Sequence, residues 1–160
     1  MKQLKKYLNI NLKGKSPAFY LKKKINCLTI KTIQELTTYS EVNKTDARIC
    51  LHESNMDKLQ FMINVLTKKK KYYYNYHPKT DEYYFILSGK LLLIYFDKKI
   101  KKKKILENKS TKIFKLRKNI LHVTIPITKN CTFLEIREGP FRKNKDAIFS
   151  NTFETNQNIK

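Results

Sequence analysis

From Ala47 onward the chain is built of short apolar or alternating runs, each closed by a turn signal. The runs predict strands at 47–52, 59–67, 72–77, 82–88, 91–97, 101–106, 112–116, 121–126 and 131–137. The turns between them are Ser54-Asn55-Met56-Asp57, Pro78-Lys79-Thr80-Asp81, Ser88-Gly89, Asp97-Lys98-Lys99, Glu107-Asn108-Lys109, Lys118-Asn119 and Lys129-Asn130. Many short strands at regular spacing mean a β-sandwich or a barrel. Leu91-Leu92-Leu93-Ile94-Tyr95-Phe96 is apolar at every position, which suits a strand covered on both faces. Ahead of the strands the period changes. Between Thr29 and Val42, Ile33 and Leu36 share a helical face with Ser40, Thr29 can cap, and Glu35 falls in the half that the helix dipole favours. The expected fold is therefore mainly all-β with one short N-terminal helix.

The same pattern sets the expected organisation. Residues 1–24 carry lysines and no acid, and their short apolar groups keep no period, so they read as a loosely held basic arm with room for one strand. Residues 25–45 form a helix-containing lead-in, 46–142 the β-barrel, and 143–160 a polar tail lying across it. With 160 residues there is material for one well-buried domain and not two. Three glycines and four prolines are few enough that each marks a turn.

Charge changes the picture less than its size suggests. The formal charge is +22, from 35 Lys and Arg against 13 Asp and Glu. The surplus is nearly all lysine, whereas specific reading of bases and phosphates leans on arginine forks. Binding to polyanions is expected to be non-specific and salt-dependent, with no specific nucleic-acid partner. The lysines of 98–104 suit an exposed strand that resists edge-to-edge pairing, and Lys68–Lys71 a solvated loop. Tyr72-Tyr73-Tyr74 could stack bases, but tyrosines in a strand are more often packing residues. Cys27, Cys50 and Cys131 form no CxxC pair, and Cys50 reads as a small buried hydrophobe. No run approaches a membrane span and the basic N-terminus lacks an apolar signal core, so a soluble cytoplasmic protein is expected.

The stretch that carries chemistry runs from Asn75 to Gly89. In a strand Asn75 and His77 point to one face, and the Pro78–Asp81 turn brings Glu82 back beside His77. His122 arrives on a later strand. Two imidazoles and a carboxylate with open positions are a common set for a divalent metal, here Fe, Mn, Ni or Zn. A lone strand histidine is more often a hydrogen-bonded core or surface residue, so it is the spacing that raises the odds.

These residues resemble the cupin family. Its first motif is written His-x-His, four residues, Glu, six residues, Gly; His77, Glu82 and Gly89 keep that spacing, and His122 stands where the second motif supplies its histidine. Several segments are similar, more narrowly, to the WbuC-type cupin metalloproteins: Ala47–Glu53, His77-Pro78 with Glu82, His122–Pro126, and Phe133-Leu134-Glu135 running into Gly139-Pro140-Phe141. The resemblance spans roughly residues 30–150. It implies a cupin or jelly-roll β-barrel, a metal held by His77, Glu82, His122 and Asn75, and pairing into a homodimer. It also implies a small-molecule ligand, a sugar or sugar nucleotide of O-antigen or lipopolysaccharide biosynthesis. Two departures stand out. Asn75 replaces the first motif histidine, and an amide oxygen is a weaker ligand than imidazole. The glycine that opens the first motif is replaced near Lys69, and the second motif's Pro and Gly are Arg117 and Asn119, the latter able to take a left-handed turn.

Further candidates surround this set. His52 could bind a substrate oxyanion with Arg48 or serve as a structural hydrogen-bonder; Glu135 could be a general base beside the metal or pair with a surface lysine. Tyr73 and Tyr84 are the remaining candidates for substrate contact. The reaction, whether isomerisation, epimerisation or oxygenation, is left open, as is a non-catalytic ligand-binding role.

Overall fold

The computed structural model describes residues 2–12, 16–69, 71–98, 100–142 and 145–154. The rest, including Lys70, Lys99 and parts of both terminal segments, lie outside the described residues. Two helices and twelve strands follow in chain order: α1 (Lys2–Tyr7), β1 (Leu8–Asn11), β2 (Ala18–Leu21), α2 (Ile30–Val42), β3 (Ala47–Cys50), β4 (Leu59–Thr67), β5 (Lys71–Tyr76), β6 (Glu82–Ser88), β7 (Lys90–Asp97), β8 (Ile100–Glu107), β9 (Ile113–Leu116), β10 (His122–Pro126), β11 (Asn130–Glu138) and β12 (Ile148–Glu154).

The strands form two sheets. One has the order β1-β2-β3-β4-β11-β6-β9 and the other β12-β5-β10-β7-β8. Every strand expected from the pattern is present, shifted by a residue or two at its ends. Alternation sorts side chains between faces: Leu91 and Leu93 pack inward with Ile86, Leu106 and Phe133, whereas Leu92 and Ile94 join Val123 and Ile125 in a separate cluster. The inner apolar cluster ends at Tyr84 and Phe133, which also line a cavity shared with His77, Glu82 and His122. β8 lies at the edge of its sheet with Lys101–Lys104 exposed, as its charge pattern predicts.

The helix starts as its sequence directs, with Thr29 Oγ1 accepting the Thr32 N–H. Leu36 and Ser40 face the protein and are fully buried. The N-terminal segment differs from its expected loose arm. Leu4, Leu8 and Phe19 are 0–2% exposed and pack with Leu36, Ile49 and Val65. Each such side chain contributes about 1.5–3 kcal/mol by leaving water. Glu35 Oε2 accepts the N–H groups of Gln3 and Leu4 and so holds the start of α1. The expected polar tail also differs, because β12 pairs antiparallel with β5.

Two turns fix what surrounds the cavity. Gly89 has φ +76°, and a side chain there would run into the Asn130 carbonyl. Asn119 has φ +61° and donates its N–H to the His77 carbonyl at 2.8 Å, the left-handed turn foreseen where a glycine is usual.

Candidate metal centre

β5 and β10 pair antiparallel with His122 opposite Asn75. Directly opposed residues share a face, so both side chains enter the cavity. His77 follows the end of β5, and Glu82 opens β6 after the Pro78–Asp81 turn. That turn is tied down from below: Asp81 accepts the Lys118 N–H at 2.9 Å and pairs with Lys115 Nζ at 2.8 Å. The β9–β10 turn therefore holds the peptide that carries His77 and aims Glu82.

His77 Nε2 lies 3.0 Å from Glu82 Oε1, and His122 Nε2 lies 3.1 Å from Glu82 Oε2. One ligand atom from each of the three falls within 4.8 Å of the others. His77 is 6% exposed, Glu82 4% and His122 2%, so bulk water does not solvate this charge. The far ring nitrogens are fixed by backbone: His77 Nδ1 donates to the Asp146 carbonyl at 2.6 Å and His122 Nδ1 to the Ile120 carbonyl at 2.9 Å. With Nδ1 protonated, a neutral imidazole turns its Nε2 lone pair toward the carboxylate. Two lone pairs then face a carboxylate, with Arg137 Nη1 3.5 Å from His77 Nε2 as the positive group at hand, unless each ring takes a second proton or a cation sits there. Burial alone would raise the Glu82 pKa, but hydrogen bonds and charge from His122 and His77 outweigh it and hold it well below the usual carboxylate range. Burial likewise opposes charge on His122, yet Glu82 leaves its pKa raised.

Two more groups converge on the same point. Tyr84 Oη donates to Glu82 Oε2 at 3.1 Å and stands 3.5 Å from His122 Nε2. Burial, then the Glu82 charge, push its phenol well above the ordinary range, so it is a donor and not an anion. Asn75 Oδ1 is buried and has no hydrogen-bond partner among the described residues. An orphaned buried acceptor is costly, and this one faces the strand position of His122. The donor set, the pinned Nδ1 atoms and the orphaned oxygen all fit a divalent cation.

The cavity around this cluster has a volume of about 770 Å³, enough for a small organic ligand. Of the residues marked from sequence, Asn75, His77, Glu82, His122, Arg48, His52, Tyr84 and Glu135 all line it. Tyr73 does not. It has the same strand parity as Asn75, but β10 pairs with β5 only at Asn75, and Tyr73 lies beyond that pairing, 51% exposed. His52 Nδ1 accepts the Phe61 N–H at 3.1 Å, which leaves the proton on Nε2. Burial lowers its pKa, favouring the neutral ring. Arg48 donates to Ser16 Oγ at 3.0 Å. Glu135 accepts from Asn64 Nδ2 at 2.8 Å, and its Oε1 lies 3.8 Å from Nε of the buried Arg137. Sequence reasoning passed over Arg137 itself, although its parity with Phe133 and Glu135 along β11 placed it on the inner face.

No family model matches the chain, and no curated protein is similar to it. Solved structures do match. CapF bound to 3-isopropenyl-tropolone superposes with a TM-score of 0.55 at 10% identity, over 89% of this chain and 33% of that one. The fold is a cupin-type β-barrel. Peruvianin-I, a cysteine peptidase from Thevetia peruviana latex, matches at TM-score 0.50 and 16% identity, over 60% of this chain and 58% of its own. Oxalate decarboxylase from Lactobacillus farciminis, a formate complex, matches at 0.48 and 15%, over 58% and 27%. The chain spans less than two thirds of each of these solved chains. The likeness concerns the barrel, and the buried His77–Glu82–His122 cluster lies inside it.

Proposed function

We propose that this protein is a metal-binding cupin that takes a sugar or sugar nucleotide of surface-polysaccharide synthesis. The observation that carries the metal reading is the convergence of His77 Nε2, Glu82 and His122 Nε2, with both Nδ1 atoms held by backbone carbonyls. The sugar reading rests on the WbuC-type resemblance, and so do a cytoplasmic location and a homodimer.

When bound, a divalent metal would supply Lewis-acid polarisation of a ligand oxygen. The other roles fall to the chain. Asn75 offers Oδ1 as a neutral fourth donor. Tyr84 holds a phenol proton against Glu82, where it can be lent to a developing oxyanion. Glu135, held by Asn64, would accept a proton within the cavity. Asn75 in place of an imidazole also favours a second reading, a cupin that binds its ligand without turnover.

Equilibrium dialysis against Mn, Fe, Ni and Zn, followed by binding of uridine- and thymidine-diphospho-sugars, tests the proposal. Near-stoichiometric metal and sugar-nucleotide binding that is lost on stripping the metal support it. Binding that persists without metal, with no turnover, favours the second reading. Metal uptake with no sugar-nucleotide binding removes the polysaccharide role.

A further inference from the structure

Arg137 is 8% exposed, and its Nε has no hydrogen-bond partner among the described residues. The nearest acid, Glu135 Oε1, stands 3.8 Å away, too far for a hydrogen bond. The rest of the guanidinium is held. It stacks on the Phe141 ring at 4.6 Å, and its Nη1 lies 3.5 Å from His77 Nε2, the ring nitrogen that can accept. The buried Nε–H alone lacks an acceptor, which is unfavourable, and Arg137 lines the cavity beside the metal cluster.

The charge of the lining points the same way. Arg48 and Arg137 balance Glu82 and Glu135, while Asp46 is taken up by Lys69 and the Thr67 N–H. A divalent ion added to this balanced set leaves two positive charges over in a poorly solvated space. An uncharged ligand would leave them unanswered.

We infer that the cavity carries an oxyanion subsite in which Arg137, supported by Arg48, receives a carboxylate or phosphate group of the ligand next to His77. The planar fork of Arg137 can present Nε and a terminal N–H side by side to two oxygens of such a group. Phe141 packs against that fork, and His52 lines the same cavity. The subsite rests on the metal-centre reading for its charge balance.

Calorimetric titration of the metal-loaded and metal-stripped protein with malonate, inorganic phosphate and neutral malonamide tests it. The expected result is binding of malonate or phosphate and not of malonamide. Arg137→Gln should weaken that binding about ten- to a hundred-fold, and Arg137→Lys should restore part of it. Malonamide binding as well as malonate, no binding of any probe at millimolar concentration, or unchanged anion affinity in folded Arg137→Gln overturns the subsite. The comparison of charged and neutral probes uses the unmodified protein and so decides the matter if the variant does not fold. Metal content measured on the same samples separates the two readings. Anion binding by protein that takes up no metal overturns the metal centre and the charge-balance argument but leaves Arg137 as an anion site, whereas metal uptake without anion binding overturns the subsite alone.

Discussion

Asn75 and His122 stand opposite each other across β5 and β10, and the Asn75 amide oxygen is buried there without a partner. An amide oxygen is a neutral, modest ligand, so on the proposed metal reading this position would tune affinity. Asn75→His should raise affinity for Zn or Ni by about tenfold, and Asn75→Ala should lower it several-fold. Competition against a chromophoric chelator measures both.

Metal should also stabilise the fold, because the three ligands converge only when β5, β6 and β10 are assembled. Free ion at a hundred times its dissociation constant adds about 2.7 kcal/mol. For a chain of this size that raises Tm by about 5–10 °C. Scanning calorimetry of His122→Ala with and without metal should show no such shift.

Much of the barrel was legible because strand alternation and turn residues are local signals. His77, Glu82 and Gly89 could be placed from spacing alone, since one turn fixes their relation. The N-terminal elements could not. α1, β1 and β2 are four to six residues long, too short to show a period, and their burial depends on partners as distant as Leu36 and Val65. Tyr73 misled because parity tells which face a residue takes and not where the sheet ends. For Arg137 parity with Phe133 and Glu135 gave the face, but an arginine in a basic chain gives no sign of burial until β11 is seen between β4 and β6.

The loop beyond β11 holds one imidazole in register. Asp146 accepts the N–H of Arg142 at 2.6 Å and its Nε at 3.0 Å, while its own carbonyl receives His77 Nδ1. Hydrogen bonds from the Arg142 side chain and backbone hold the Asp146 carboxyl below its ordinary value despite burial. A lowered carboxyl stabilises the fold above its unfolded pKa of about 3.9, and that contribution is lost as pH falls through the lowered folded value. Asp146→Asn should therefore lower Tm at pH 7, with the difference from the parent shrinking between about pH 4 and pH 2. Thermal melts across that range check it.

Gly89 closes the first motif with a left-handed turn against the Asn130 carbonyl. Gly89→Ala meets both the unfavourable φ and a backbone atom that cannot move aside. It should cost about 2 kcal/mol or more in urea unfolding. A neutral outcome would show that the β6–β7 turn can be rebuilt.

Anomalous diffraction from crystals grown with Zn or Mn tests the central claim most directly. A peak within coordination distance of His77 Nε2, Glu82 and His122 Nε2, absent in His77→Ala, is the result expected. An ordered cavity with no peak there, or with metal bound only at surface groups, would contradict it.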